Sequence, residues 1–199
     1  MPSDHLVALI MAAGRSRRFG QLDKRVAQLS DGRGLLANSV ARASEAFPQL
    51  RVVLRMEDDM TTLGLPASTP VIRATRAERG LGASLGEAIT ALDNDKALAD
   101  VEAVAILLGD MPYIRLETFH ALRRLTSSSR IVRPRHAGQS GHLVYIGRDF
   151  WQELAALDGD EGARSILQRH PSRCDTLEVD DPGVQRDIDV IEDILPPGR

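Results

Sequence analysis

The sequence has few of the features that mark several large classes of protein. Cysteine occurs once, as Cys174, which excludes an internal disulfide and a cysteine metal cluster. No apolar run approaches the roughly 20 residues of a membrane-spanning helix, and the acidic start MPSDHLVALI does not fit a signal peptide. A net charge of −3 argues against a general nucleic-acid or membrane-surface binder. These absences predict a cytoplasmic protein with neither nucleic acid nor membrane among its partners.

Lysine is also scarce. The 25 basic residues comprise 23 arginines and only two lysines, Lys24 and Lys96. This preference for arginine reflects the overall composition of the chain. A single arginine is therefore weak evidence of function, whereas a lysine is stronger evidence. Lys24 follows the first apolar run closely, in a segment rich in glycine and arginine.

The order of apolar segments predicts a single α/β domain. Continuous apolar runs at 6–13 and 101–110 read as buried strands, and 51–55 and 69–74 as shorter ones. Helical patterns lie between them, which implies a parallel sheet with helices on both faces. The later β segments at 130–135 and 141–147 add an antiparallel element. Ser84 and Glu87 fit an S-x-x-E capping box opening the helix LGEAITAL.

The segment MAAGRSRRFGQLDK, residues 11–24, directly follows the first strand. Gln21 after the second glycine excludes a P-loop, and Arg15-Ser16 breaks the G-x-G-x-x-G dinucleotide pattern. A cationic glycine loop at the carboxyl edge of a parallel sheet suits an anionic ligand. A solvated basic turn is the alternative.

Carboxylates follow the central strand and recur near the carboxyl end of the sequence. In LLGDMP, Asp110 comes straight after a buried strand, where it suits either a helix N-cap or a divalent cation held beside phosphates. In DIDVIED, Asp187 and Asp189 share one face if the segment is extended. Asp189 and Glu192 also form a capping pair, so a cap and a metal ligand both stay open.

A second glycine-bearing segment, RPRHAGQSGHLV, joins two β segments. It contains His142 between Gly141 and Leu143, beside the arginines of RPR. A lone histidine is more often structural than functional, but a place in a glycine loop favours contact with a ligand.

Taken in order, these segments resemble one family. MAAGRSRRFGQLDK resembles the A-A-G-x-S-x-R-[MF]-G…K signature of the nucleotidyltransferases related to molybdenum-cofactor cytidylyl- and guanylyltransferases. RGLGASLGEAI, LLGDMP, GQSGHLV, LDGDEGARSIL and DIDVIEDI resemble that family's later motifs. The G-D-x-G-A-R and G-H elements are closer to the cytidylyltransferase branch.

The resemblance implies a Rossmann-like three-layer α/β/α nucleotidyltransferase fold, mostly parallel with a small antiparallel element. Residues 1–199 would form one domain, with a nucleotide-binding half at about 1–112 and an acceptor-binding half at about 113–199. It further implies Mg²⁺-dependent transfer of a nucleoside monophosphate to molybdopterin with release of pyrophosphate. CTP is favoured and GTP is the alternative. A molybdoenzyme would be a downstream client.

The resemblance also assigns roles to residues of this sequence. Those that would bind the nucleotide are Ala12, Ala13, Gly14, Arg15, Lys24, Gly82 and Ser84. Arg18, Lys24 and Asp110 would be catalytic, the first two by neutralising the triphosphate. Asp110 and Asp189 would coordinate Mg²⁺, with Asp187 as a third carboxylate. Arg135 and His142 fall where the acceptor should lie.

The sequence departs from the family pattern at a few positions: Arg25 stands where an apolar residue is usual, Gly34 and Leu143 replace prolines, and Val190-Ile191 replaces Thr-Pro. We expect none of these to touch the proposed metal or triphosphate ligands, so they leave the acceptor open. A sugar-phosphate-type acceptor and a non-catalytic cofactor-binding insertion factor are the alternatives. The presence of Lys24, Asp110 and Asp189 together favours turnover.

Overall fold

The fold is built on one mixed sheet, seen in a computed structural model that describes residues 5–14 and 23–188. The strands are β1 (Leu6–Met11), β2 (Gln49–Arg55), β3 (Val71–Ala74), β4 (Ala103–Leu108), β5 (Ile131–His136), β6 (Gln139–Ser140), β7 (Val144–Gly147) and β8 (Cys174–Glu178). Their order across the sheet is β3-β2-β1-β4-β7-β5-β6, and β8 pairs with β5.

Parallel and antiparallel pairings divide the sheet into two parts. The strands β3, β2, β1 and β4 are parallel neighbours, whereas β7 runs antiparallel to both β4 and β5. Because β7 reverses the direction between them, β5 runs the same way as β4, and β8 is parallel to β5. The predicted mostly parallel sheet with a small antiparallel element is confirmed.

Helices cover both faces of the sheet. They are α1 (Leu35–Ala46), α2 (Leu81–Asp93), α3 (Leu116–Arg123), α4 (Trp151–Ala155) and α5 (Arg164–Arg169). Side chains of α1 and α3 join one buried apolar cluster, and those of α2, α4 and α5 join the other. Successive residues of β1 alternate between the clusters, which is why the whole strand is apolar. This is the three-layer α/β/α arrangement that the sequence predicts.

The predicted capping box at the start of α2 is wrong. The helix begins at Leu81, so Ser84 and Glu87 lie inside it. Ser84 Oγ donates back to the carbonyl of Gly80, and Glu87 accepts hydrogen bonds from Thr75 Oγ1 and from the backbone N–H of Arg76. Gly80 precedes the helix with φ of 117°, a backbone conformation that disfavours other residues.

Candidate active site

The carboxyl ends of β1 and β4 lie side by side. Met11 is opposite Leu108 in the parallel register, and the N–H of Gly109 donates to the carbonyl of Met11 over 3.0 Å. The chain leaves these strands through Ala12–Gly14 and through Asp110. The two segments predicted to bind triphosphate and metal therefore emerge together at one edge of the sheet, where open α/β sheets bind ligands.

A cavity of about 630 Å³ opens at this edge. Its walls combine the end of β1, the turn at Lys24, the loop after β4 and the start of α2. The residues that line it are Met11, Ala12, Ala13, Gly14, Lys24, Arg25, Leu35, Ala77, Glu78, Gly80, Leu81, Ser84, Leu108, Gly109, Asp110 and Asp160. Six of the predicted site residues share this cavity, whose size is typical of small-molecule sites: Ala12, Ala13, Gly14, Lys24, Ser84 and Asp110.

Lys24 forms an ion pair with Asp110 inside this cavity. It begins a 3₁₀ turn, Lys24–Val26, whose cap is Asp23. Its Nζ donates to Asp110 Oδ2 over 2.5 Å and to the carbonyl of Ile188 over 3.3 Å. The side chains of Lys24 and Asp110 are 18% and 16% exposed, so the pair is largely shielded from water. The lysine therefore links the first loop, the central aspartate and the segment near the carboxyl end.

Asp110 uses only one of its carboxylate oxygens within the described part of the chain. Oδ2 accepts from Lys24, whereas Oδ1 is buried and has no hydrogen-bond partner there. A buried acceptor without a partner is costly. A carboxylate oxygen available at a cavity fits Mg²⁺, which is bound by one or two carboxylates together with phosphate oxygens and water.

Asp187 and Ile188 are the residues of the DIDVIED segment that the structure describes. The N–H of Ile188 donates to the backbone carbonyl of Asp110 over 3.1 Å, which holds residues 186–188 beside the end of β4. Asp187 is half-buried but is not among the residues that line the cavity. Across residues 5–14 and 23–188, no group of three or more His, Cys, Asp or Glu side chains is arranged to hold a metal.

Gly82 and Ser84 lie at the start of α2, where the loop 158–162 packs against the helix. Ser84 is buried and lines the cavity, whereas Gly82 does not line it. The N–H of Gly82 already donates to the carbonyl of Gly159 over 2.7 Å. A Cβ on Gly82 would come within 2.9 Å of that oxygen, so the glycine is required for close packing. Its role toward nucleotide stays a prediction.

Arg135 and His142 lie at the same edge of the sheet but outside the residues that line this cavity. Arg135 Nε donates to the carbonyl of Gly138 over 2.9 Å, and His142 is exposed, with its backbone N–H donating to the carbonyl of Val184. Their predicted acceptor role is untested. Arg15, Arg18 and Asp189 lie outside the described residues.

Sequence reasoning missed three charged residues of the cavity wall, Arg25, Glu78 and Asp160. Asp160 belongs to the LDGDEGARSIL element, which could have indicated it, whereas no pattern marked Glu78. Arg25 was expected to touch no proposed ligand, and this is wrong, because its Nη1 donates to the carbonyl of Ala12 over 2.8 Å.

Within the described residues, no helix combines the length and apolar character needed to cross a bilayer.

Comparison with known proteins points to one family. Residues 8–174 match the family model of the MobA-like NTP transferase domain. The chain is 27% identical to the purine catabolism protein PucB of Bacillus subtilis (strain 168) over 201 residues, which cover 97% of this chain and 96% of that protein.

Solved structures agree with this match. Rv0371c from Mycobacterium tuberculosis H37Rv superposes with a TM-score of 0.81 at 26% identity, covering 95% of this chain and 94% of that one. A manganese complex of Rv0371c gives a TM-score of 0.76 at 24% identity over 95% of each chain. Mth528, a nucleotidyl transferase from Methanothermobacter thermautotroptrophicus, shares the fold, with a TM-score of 0.77 at 18% identity over 96% of this chain and 94% of its own.

Proposed function

Because the chain belongs to the MobA-like NTP transferase family, we propose that it is a Mg²⁺-dependent nucleotidyltransferase that transfers CMP from CTP to a molybdopterin-type acceptor. The Lys24–Asp110 pair carries the proposal. It places one cation, and one buried carboxylate oxygen that has no partner among the described residues, in a single cavity at the carboxyl ends of β1 and β4.

The geometry supports a reaction between two anions. An acceptor phosphate oxygen attacks the α-phosphorus of the nucleotide, the new P–O bond forms, and the bond from the α-phosphorus to the bridging oxygen breaks. Pyrophosphate leaves with the electron pair of that bond. An ionised phosphate is already a nucleophile, so the site needs no general base, and catalysis rests on positioning and charge neutralisation.

Each described residue of the site has a part in this scheme. Lys24 donates to the triphosphate in place of Asp110, and its positive charge stabilises the charge that develops on the leaving group. Backbone groups of Ala12–Gly14 face the cavity where the nucleotide lies. Asp110 would hold the divalent cation through Oδ1, and the cation would supply positive charge that neutralises the phosphates. The manganese complex of Rv0371c supports a divalent metal in this role.

The choice of CTP and of a pterin acceptor rests on the resemblance of LDGDEGARSIL and GQSGHLV to the cytidylyltransferase branch. The division into a nucleotide half and an acceptor half also comes from the resemblance, and it is supported by the position of the cavity, whose described walls come mostly from the first 110 residues. Arg135 and His142, with Asp187 and Asp189 as further carboxylates, complete the proposed site. A cytoplasmic location, with access to nucleoside triphosphates, fits this chemistry.

The test is pyrophosphate release from each of CTP, GTP, ATP and UTP, with Mg²⁺ or with EDTA, and with or without molybdopterin. Release that requires CTP, Mg²⁺ and molybdopterin is expected. Release with GTP, or with a sugar phosphate in place of molybdopterin, would correct the substrate but keep the reaction. If the protein binds molybdopterin or nucleotide but releases pyrophosphate under no combination, it is a non-catalytic cofactor-binding insertion factor and not an enzyme.

A further inference from the structure

Arg25, the residue after Lys24, is buried, and hydrogen bonds occupy every nitrogen of its guanidinium group. Nη1 donates to the carbonyl of Ala12 over 2.8 Å and to Asp58 Oδ2 over 2.6 Å. Nη2 donates to Asp58 Oδ1 and to Asp23 Oδ2, and Nε donates to Asp23 Oδ1. One side chain therefore joins the end of β1, the turn that holds Lys24 and the loop after β2.

The loop after β2 is itself fixed to the sheet. The backbone N–H of Arg55 donates to Asp58 Oδ2 over 2.8 Å, and the Arg55 side chain also reaches the carboxylate. Arg73 of β3 donates through Nη1 to the carbonyls of Arg55 and Asp58, over 2.8 and 2.7 Å. Asp58 is thus a rigid point to which Arg25 attaches the first loop.

The hydrogen bonds of this network favour the charged forms of its side chains. Burial alone would lower the pKa of Arg25, but hydrogen bonds from its guanidinium to Asp58 and Asp23 hold that pKa above its usual value. Burial would also raise the pKa of Asp58, yet the bonds from Arg25 and Arg55 keep it below its usual value. A buried ion pair seldom stabilises a fold more than apolar side chains of the same volume would. The contribution of this network is therefore to fix the geometry of the segments that it joins.

The geometry that it fixes belongs to the cavity. Ala12 is the first residue after β1, Lys24 stands between Asp23 and Arg25 in the chain, and both Ala12 and Lys24 line the cavity. We infer that Arg25 is a positioning residue, which sets Lys24 relative to the end of β1 and so determines the affinity of the site for a triphosphate. This inference rests on the proposed function for the identity of the ligand.

The first experiment compares Arg25→Met with Arg51→Met. Arg51 on β2 is a matched control, because it likewise donates to one main-chain carbonyl, that of Leu50, and to one aspartate, Asp95. The probe is inorganic tripolyphosphate with Mg²⁺, measured by titration calorimetry, so the unknown base is irrelevant. Since misplacement by about 1 Å costs up to about 100-fold in a preorganised site, we expect Arg25→Met to raise Kd by about 10- to 100-fold. Arg51→Met should leave Kd unchanged.

A second variant separates positioning from direct contact, since Arg25 also lines the cavity. Asp58→Asn removes a charge from the anchor and leaves the guanidinium in place. If Arg25 acts through its position, Asp58→Asn also weakens tripolyphosphate binding. The loss of binding free energy in the double variant, Arg25→Met with Asp58→Asn, is then smaller than the sum of the losses in the two single variants. If Arg25 instead binds phosphate directly, releasing it from Asp58 leaves the affinity unchanged or raises it. Arg25→Lys keeps the positive charge but loses the planar guanidinium group. Its affinity for tripolyphosphate should lie between those of Arg25→Met and the wild-type protein.

The outcomes also separate this inference from the proposed function. A wild-type protein that binds tripolyphosphate but releases no pyrophosphate from any nucleotide refutes the function, while the Kd comparison still decides the role of Arg25. A wild-type protein that releases pyrophosphate but binds no tripolyphosphate keeps the function and refutes the inference about Arg25. If circular dichroism shows that Arg25→Met is unfolded, Asp58→Asn decides alone. An unchanged Kd in folded Arg25→Met, or an equal loss in Arg51→Met, overturns the inference.

Discussion

Lys24 and Arg25 are adjacent in the chain, line the same cavity and both pair with aspartates, yet their hydrogen-bond partners differ in kind. Lys24 faces a cavity and meets Asp110, whose second oxygen has no partner in the described structure. Arg25 is 6% exposed, and carboxylates and a carbonyl take up all of its nitrogens. A site that binds charged ligands keeps a polar atom that a ligand can pair with. In a site that stabilises the fold, other protein groups already pair with the polar atoms.

The chemistry of lysine and arginine matches this difference between Lys24 and Arg25. The ammonium of lysine is a compact charge on a flexible stem, which can exchange a carboxylate for a phosphate. The planar fork of arginine fits several fixed acceptors at once. The contrast predicts that changes at the Lys24–Asp110 pair alter the chemistry, and that changes around Arg25 alter stability and geometry.

The largest effect is expected from Asp110→Asn. The amide keeps the shape and can still accept from Lys24, but it loses the negative charge that would hold a divalent cation. We expect pyrophosphate release to fall by about 1,000-fold or more, in line with the several kcal/mol that a metal contributes to such a transition state. The measurement is turnover at saturating nucleotide, together with Mn²⁺ binding in the absence of nucleotide.

Asp95→Asn is the control for that variant, because it alters an aspartate that pairs with arginine at a distance from the cavity. It should leave turnover and Mn²⁺ binding unchanged. Near-normal turnover in Asp110→Asn, with the fold intact, would refute its assignment as the metal ligand.

The next effect concerns stability. Arg25→Met removes the shared partner of two carboxylates, that of Asp58, which is 5% exposed, and that of Asp23, which is 34% exposed. Breaking a buried pair on one side costs about 3–5 kcal/mol in the free energy of unfolding, and Arg55, which also contacts both aspartates, should keep the loss near 3 kcal/mol. Urea unfolding measures it. Arg51→Met, in a more exposed pair, should lower the free energy of unfolding by less than about 1 kcal/mol. Equal losses in Arg25→Met and Arg51→Met would mean that the Arg25 network stabilises the fold no more than an exposed pair does.

Lys24→Met comes third. Losing one charged hydrogen bond to the triphosphate should weaken nucleotide binding by about 10- to 100-fold, because such bonds contribute about 1.5–3 kcal/mol. Metal binding without nucleotide should move the other way, since Asp110 loses a competing cation. Opposite changes in the two affinities, measured by calorimetry, would identify Lys24 as a group that exchanges partners. A parallel loss of both would indicate a purely structural lysine.

The sequence predicted the framework of this site better than its details. The apolar runs of β1 and β4 were readable because strands buried on both faces carry few polar residues, and Asp110 was found because it follows such a run. The capping box failed because Gly80, with its positive φ, lets the helix start earlier, and tertiary contacts with Thr75 and Arg76 claim Glu87. Local patterns do not record such partners.

Arg25 shows the same limit more clearly. Its partners are Asp58 and the carbonyl of Ala12, which lie 33 and 13 residues away in the sequence. In a chain with 23 arginines, no periodicity or spacing marks Arg25 as a buried one. Only the folded chain shows that the residue beside Lys24, the proposed catalytic lysine, ties the turn Lys24–Val26 to the end of β1 and to the loop after β2.

The smallest effect, and the finest test of the comparison, is on acid stability. Burial would raise the pKa of Asp58, but hydrogen bonds from Arg25 and Arg55 hold it below the ordinary value of 3.8. A carboxylate whose pKa is lower in the folded state contributes its full stability above the pKa of the unfolded chain. That contribution is lost as the pH falls from about 4 through the folded value. Wild-type protein should therefore lose stability in this range more steeply than Asp58→Asn, by up to about 1.4 kcal/mol per pH unit for one carboxylate.

Asp95 provides the contrast in the same experiment. Its side chain is 33% exposed against 5% for Asp58, and a hydrogen bond from Arg51 also lowers its pKa. Because water and salt screen an exposed pair, Asp95→Asn should change the acid slope less than Asp58→Asn does, and added salt should reduce its effect further. Urea unfolding at a series of pH values below 5 measures both slopes. Equal slopes for the two variants would mean that burial gives the Arg25 network no stability beyond that of a surface pair.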